Sequence, residues 1–219
     1  MPNTTSDQEL TSCIAAMGPE LGHVFHELCA ELMWLHFKWQ QYVGIFGTSK
    51  EQMDTVNEAA GSFFYVVQAA LWEDTLLHLA RLADPPLTMN KENLTLLQLQ
   101  DLVPDVHRST ISSLTEIVRS KTLFARDWRK RHLAHRDLNL ALKRNVKPLE
   151  PASRIMVREA LGAMANLLNE VDRIYRDTTT LFEPIAPLNG ATALLSILDE
   201  GLQAKKARFK QERDKYGIA

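Results

Sequence analysis

Cysteine is nearly absent from this chain of 219 residues: only Cys13 and Cys29 occur, with no CxxC spacing. Both lie in apolar helical contexts, which excludes a disulfide framework and reads as two reduced, packed thiols in a cytosolic chain. No stretch of about 18 apolar residues occurs, so no membrane span is expected. The opening MPNTTSDQEL has no basic segment followed by an apolar run, so it does not read as a signal peptide. These absences together predict a cytoplasmic protein. Net charge is almost absent too, at −2, so the chain as a whole has no electrostatic attraction for nucleic acid and any basic function must be local. Internal repeats and low-complexity tracts are also missing. Hydrophobic residues at 45% and charged residues at 24% are ordinary for a globular domain. A chain of this length buries roughly 70% of its unfolded surface, enough for a core without disulfide or metal.

Proline is scarce where helices need it to be. The nine prolines fall at 2, 19, 85, 86, 104, 148, 151, 184 and 187, and the windows between them carry helical periodicity. Leu21, Phe25, Leu28, Leu32, Leu35, Trp39, Tyr42 and Phe46 alternate spacings of four and three, a continuous apolar stripe. Gly47-Thr48-Ser49 reads as a stop followed by a new N-cap. A second long helix is expected over about 50–83. Its SFFYVVQ run has strand character, but the flanking pattern is helical and outweighs it. Asp84-Pro85-Pro86 ends this helix. A polar loop over 87–93, a short helix over 94–102 and a third long segment over about 107–142 follow. After a break at 145–151, Val157, Leu161, Met164, Leu168, Val171 and Tyr175 repeat the stripe. Pro184 and Pro187 precede a last helix from about Ala191, within a C-terminal segment of about 188–216 that ends in a charged, solvated tip. The expected fold is all-α: a helical bundle of four to five long helices plus short ones, forming a single domain over 1–219 with its core at about 20–183.

Charge is concentrated in one place. Between Arg119 and Arg136 lie seven basic residues (Arg119, Lys121, Arg126, Arg129, Lys130, Arg131, Arg136) against the single acid Asp127. That is a local +6, leaving −8 for the rest of the chain. Such a patch is the footprint expected for phosphate binding, although charge runs are more often solvated helix faces.

Inside the patch runs Asp127-Trp128-Arg129-Lys130-Arg131-His132-Leu133-Ala134-His135-Arg136-Asp137. This string resembles the signature of the HEPN (higher eukaryote and prokaryote nucleotide-binding) family, in which four to six residues separate an arginine from a histidine. Trp128-Arg129 through Ala134-His135-Arg136-Asp137 is similar to the abortive-infection, AbiU-like branch. So are Leu76-Leu77-His78-Leu79-Ala80-Arg81-Leu82-Ala83-Asp84-Pro85 and Asn93-Leu94-Thr95-Leu96. The resemblance spans roughly 20–180. It implies a HEPN-like fold and a homodimeric, metal-independent endoribonuclease of phage defence or a toxin–antitoxin system. RNA would be the substrate, an antitoxin or regulatory protein a further partner, and no cofactor would be needed. Arg129 and His135 take the catalytic positions. The family usually has Asn, Asp or His after the arginine, where this chain has Lys130. The shifted pair Arg126 and His132, with Asp127 in the polar position, has the same spacing and stays open.

The residue types suit that chemistry. Metal-free RNA cleavage needs a base for the 2′-hydroxyl and an acid for the 5′-oxygen, and histidine can serve as either. Arginine's fixed donor fork matches phosphate oxygens. One histidine per chain is too few for both proton transfers, which favours two chains at one site. On a regular helix Arg131 and His135 are neighbours, whereas Arg129 and His135 differ in direction by about 120°, so their pairing needs a distorted helix or a second chain. Arg131, His132 and Lys130 would support the site, and Trp128 would pack beside it. Arg81 and Asp84, at the end of their helix, could line the cleft or simply cap the helix and pair with each other, and the structural role is preferred. Arg129 and His135 could themselves be structural, paired with Asp127 and Asp137.

Three competing readings carry less. His135-Arg136-Asp137 resembles a protein-kinase catalytic loop, but Leu142 stands where that loop needs Asn and no Gly-rich loop exists. Glu20-x-x-His23 has the spacing of di-iron bundles and Asp74 and His78 are four apart, yet the second Glu-x-x-His is missing, so no metal is expected. His23, His26, His36 and His78 read as helix-surface or core-edge residues, and the Trp and Met residues as core. The functional alternative is a non-catalytic helical module whose basic face binds RNA, a nucleotide or a protein.

Overall fold

A computed structural model describes residues 4–47, 49–183 and 189–216. Thr48 and the Pro184 and Pro187 break lie outside the described residues. The regular elements of the described residues are helical except for one short hairpin: α1 (Thr4–Met17), α2 (Pro19–Phe46), α3 (Lys50–Leu82), β1 (Leu87–Thr88), β2 (Lys91–Glu92), a 3₁₀ turn (Leu96–Gln98), α4 (Leu99–Leu102), α5 (Asp105–Lys121), α6 (Leu123–Trp128), a π-helical turn (Arg129–Leu133), α7 (Leu138–Ala141), α8 (Arg154–Arg176) and α9 (Ala191–Tyr216). The chain divides into two compact units, Met1–His36 with Glu73–Glu183 and Phe37–Trp72 with Pro184–Ala219.

The helix ends follow local chemistry. Gly18 closes α1 in the left-handed region, at φ 81°, and Pro19 opens α2, whose first turn has no use for its missing N–H. α1 gives bounds to the helical context expected around Cys13, whose polar first turns hide the start of the periodicity. It approaches α2 so closely that a Cβ on Gly22 would lie 2.7 Å from the Ile14 backbone. Ser49 caps α3 by accepting from the Gln52 N–H at 3.3 Å, and Ser153 caps α8 through the Met156 N–H at 3.3 Å. The α3 helix runs over the expected residues, SFFYVVQ included, but kinks at Ala60. In place of the loop expected over 87–93, β1 and β2 pair across a turn in which Met89 and Asn90 both have positive φ.

The larger unit buries one face of each of its long helices. Leu28, Leu32 and Leu35 from α2, Leu76 and Leu79 from α3, Ile111 and Val118 from α5, and Val157, Leu161, Met164 and Leu168 from α8 are all fully or nearly fully buried. α5 and α8 pack along each other. α1 is tied to α8 by Arg176, which donates to Asp172 and to Glu9, each at 2.5 Å. Burial and the nearby acids hold the Cys13 and Cys29 thiols above their ordinary range, and both cysteines are free. In the smaller unit Trp39, Tyr42, Phe46, Phe64 and Trp72 form an aromatic cluster, and the Gln41 side chain accepts from the Ala191 N–H at 2.8 Å to start α9. Trp34 and Met33 depart from the expectation of core and are exposed. His23 is exposed, whereas His36 and His78 are buried. Among the described residues no helix is long and apolar enough to cross a membrane.

The segment expected as one helix over 107–142 is broken into four pieces, and its middle carries the basic motif. Buried Thr122 turns its hydroxyl back to the carbonyls of Val118 and Arg119, competing with the helix's own N–H groups and ending α5. Asp137 accepts from the Leu140 N–H at 3.0 Å and starts α7, which stops before Lys143 and Asn145 in the left-handed region.

Candidate functional site

Side chains from α6, the π turn and the end of α3 line a cleft of about 500 Å³. They are Asp84, Leu123, Arg126, Asp127, Arg129, Lys130, Ala134 and His135. The six-residue offset between Arg129 and His135 would part them by roughly 120° on a regular α-helix. Here the Ala134 N–H reaches back five residues to the Arg129 carbonyl at 2.9 Å, and the chain bends at Ala134 and His135. The wide turn and the bend together let both side chains line one cavity; π turns inside α-helices recur at functional sites.

The same segment has a second face, and it is occupied. The Trp128 indole N–H donates to the Glu150 carbonyl at 2.8 Å, and the Asp127 carboxylate accepts from the Glu150 N–H at 3.0 Å. Arg131 donates to the Pro148 carbonyl at 3.1 Å, to the Lys147 carbonyl and to Asp127 at 3.3 Å. His132 stands edge-on to the Trp128 ring with centroids 5.5 Å apart. Asp127, Trp128 and Arg131 therefore strap the 147–150 segment to the motif. Asp127 does both jobs, touching the cleft while tied to the strap.

Of the expected site residues, the cleft gathers Arg126, Asp127, Arg129, Lys130 and His135, while Arg131 and His132 belong to the other face. Arg126 lines the cleft, but its register partner His132 packs on Trp128. Arg81 lines a neighbouring hollow with Glu31, Asp84 and Asn93, and donates to Glu31 at 2.6 Å. Buried His78 meets the same Glu31 carboxylate at 2.8 Å. Arg81 and Asp84 thus pair with other partners instead of each other. Arg129 pairs with neither Asp127 nor Asp137; its Nη1 donates to both carboxylate oxygens of Asp84. The sequence offers Asp84 as a cleft residue or as a helix cap paired with Arg81, but not as the partner of Arg129. Its pairing crosses 45 residues of chain, and no local pattern reports such a contact.

The electrostatics follow from this division. Arg126, Arg129 and Lys130 face Asp84 and Asp127 across the cleft, so the wall is net positive with one of its cations already matched to a carboxylate. His135 and Lys130 are exposed, whereas Arg129 and Asp84 are partly buried. Such a wall can receive an anionic backbone while an imidazole reaches the same space. The other histidine positions suggest no ligand set: His23 Nδ1 lies 2.6 Å from the Pro19 carbonyl. Among the described residues no group of three or more His, Cys, Asp or Glu side chains is assembled to hold a metal ion.

Residues 18–193 match the sequence model of HEPN_AbiU2, described as AbiU2. No curated protein and no solved structure matches the chain.

Proposed function

This chain belongs to the HEPN AbiU2 family of abortive-infection proteins, and from that premise we propose that it is a metal-independent endoribonuclease acting as a homodimer. The observation that carries the reading is the sharing of one cleft by Arg129 and His135, with Arg126 and Lys130 beside them. In the proposed reaction a base removes the proton of a 2′-hydroxyl, and the oxygen attacks the adjacent phosphorus. The P–O5′ bond breaks, an acid protonates the departing 5′-oxygen, and a 2′,3′-cyclic phosphate remains. His135 performs one proton transfer, and His135 of a second copy the other. Arg129 holds the phosphate oxygens as charge builds on them. Lys130 and Arg126 attract the neighbouring phosphates. Leu123, which lines the cleft, and Leu138, three residues after His135, are exposed apolar side chains that a second copy would cover. In this reading the protein works in the cytoplasm against phage or as the toxin of a pair, restrained by an antitoxin or regulatory protein.

Lys130, which departs from the family's usual polar residue, favours a second reading: a non-catalytic module that binds RNA, a nucleotide or a protein on this basic face. One experiment separates the two. Wild type and His135→Ala are incubated with a mixed RNA pool in EDTA and the product ends are analysed. Cleavage by wild type to 2′,3′-cyclic phosphate ends, lost in His135→Ala, is the expected result. RNA binding without cleavage, declining gradually as basic residues are removed, would replace the enzyme by the binding module.

A further inference from the structure

We propose that Asp84 is a positioning residue of this cleft: it takes one end of the Arg129 guanidinium and so presents the other edge to the scissile phosphate. The inference rests on the ribonuclease reading and adds to it a residue from a different helix.

A guanidinium offers five N–H donors in a rigid plane, grouped so that Nε and Nη2 form one fork and the two Nη nitrogens another. Asp84 engages Nη1 alone, with both carboxylate oxygens. Among the described residues Nε and Nη2 have no protein acceptor, so the Nε/Nη2 fork is available for two phosphate oxygens at once. Burial follows the same order, since the Asp84 side chain is 15% exposed and that of Arg129 38%. The carboxylate is the inner anchor and the guanidinium the outer tool.

Asp84 is itself held firmly. Its carbonyl accepts from the Thr95 hydroxyl at 2.7 Å, and Thr95 is fully buried. That hydroxyl also meets the Leu82 carbonyl at 3.0 Å, fixing the last turn of α3. Beyond Asp84 come Pro85 and Pro86, whose carbonyls accept from the Asn93 side-chain amide and backbone N–H, each at 2.8 Å. A carboxylate on backbone tied at so many points cannot follow a wandering arginine; the arginine must come to it. Arg129 begins the π turn, so the same contact sets the register from which His135 reaches the cleft.

The arrangement predicts a split between rate and affinity. Asp84 places a negative charge beside a phosphate site, so its loss should leave equilibrium RNA binding unchanged or a few-fold tighter. The freed Arg129 samples many rotamers, and a misplacement of about 1 Å costs on the order of 100-fold in rate. An autoinhibitory latch, in which Asp84 merely blocks Arg129, predicts the opposite sign of rate change.

The test compares wild type, Asp84→Ala and Asp84→Asn in single-turnover cleavage of a short RNA. Affinity is measured for the same sequence with 2′-O-methyl groups, and the Arg129 Nε–H resonance is followed on adding that oligonucleotide. We expect Asp84→Ala to cleave 10- to 100-fold slower with undiminished affinity, and Asp84→Asn, whose amide oxygen still accepts from Nη1, to recover part of the rate. Wild-type or faster cleavage by Asp84→Ala overturns the proposal, as does a parallel loss of rate, affinity and melting temperature in both variants. Absence of cleavage by wild type would instead defeat the ribonuclease reading, and the resonance then decides. A shift on binding in wild type that is missing in Asp84→Ala keeps Asp84 as the positioning residue, and equal responses remove it.

Discussion

The motif segment from Arg126 to Asp137 presents two faces that its composition does not distinguish. On one, Asp127, Trp128 and Arg131 give their polar groups to the backbone of residues 147–150. On the other, Arg126, Arg129, Lys130 and His135 open into the cleft, where only Arg129 has a carboxylate partner. Charge alone treats Arg129 and Arg131 as equals. Two positions apart on a wide turn, Arg131 ties the fold together and Arg129 lines the cleft. A buried or strapped cation is satisfied by carbonyls that cannot move, whereas a cation at a cleft keeps donors in reserve.

The sharpest way to break this comparison is to truncate the cleft face. His135→Ala should lower cleavage by roughly 10²- to 10⁴-fold, the range for losing a general acid or base. Its stability should stay within about 0.5 kcal/mol of wild type, since the side chain is exposed. Arg129→Ala should cost roughly 10²- to 10³-fold, comparable with removing one transition-state donor. If His132→Ala abolished cleavage while His135→Ala did not, the Arg126–His132 register would be the working one and the two faces would have to be exchanged.

The strapped face should fail in the opposite currency. Asp127→Ala leaves the Glu150 N–H without its acceptor and removes the one carboxylate among Arg131's partners. Urea unfolding should show a loss of about 1–3 kcal/mol, the desolvation cost of an orphaned partner. Trp128→Phe, which orphans the Glu150 carbonyl, should cost about 1 kcal/mol. Lys130→Ala should be smaller still. It should leave stability unchanged and reduce the slope of log affinity against log salt by about 0.7, one phosphate contact on a single strand. An unchanged slope would move Lys130 out of the binding surface.

The sequence made one half of this picture readable. All eight apolar positions of the α2 stripe, Leu21 through Phe46, are buried, and in α8 the stripe is buried from Val157 to Val171 with Tyr175 at its edge. Periodicity reports burial because helix geometry alone converts spacing into a face. The Ser49 cap and the Asp84-Pro85-Pro86 stop likewise set the ends of α3 to within a residue, and the break at 145–151 precedes α8. What stayed hidden depends on contacts distant in sequence or on competition between equivalent groups. The break at Thr122 needs a hydroxyl choosing helix carbonyls over solvent, which no spacing reveals. The π turn follows from strapping Arg131 to 147–148 while Arg129 is drawn to Asp84. The string from Asp127 to Asp137 was enough to name candidates, and the need for a distorted helix followed from their angular separation; which neighbour each cation takes did not.

Two histidines at opposite ends of the exposure scale sharpen the comparison once more. His135 is exposed at the cleft, while His36 is buried and stacks on Phe182 with centroids 6.1 Å apart. Burial lowers the His36 pKa below its ordinary value, and the charge of Glu183 only partly opposes this. The folded chain therefore binds the His36 proton more weakly than the unfolded chain does. Stability from this group is fully present above the unfolded pKa, near 6.5, and falls as the pH drops through that value towards the lower folded one. His36 Nε2 also has no hydrogen-bond partner among the described residues, so an apolar replacement sacrifices little. His36→Leu should then match wild type in urea unfolding at pH 7.5 and gain on it steadily as the pH falls from 6.5 to 5. The pH profile of cleavage should be the same in both proteins. A stability difference that ignored pH would mean that His36 is paired when protonated, and a shifted cleavage profile would mean that the core histidine reaches the cleft.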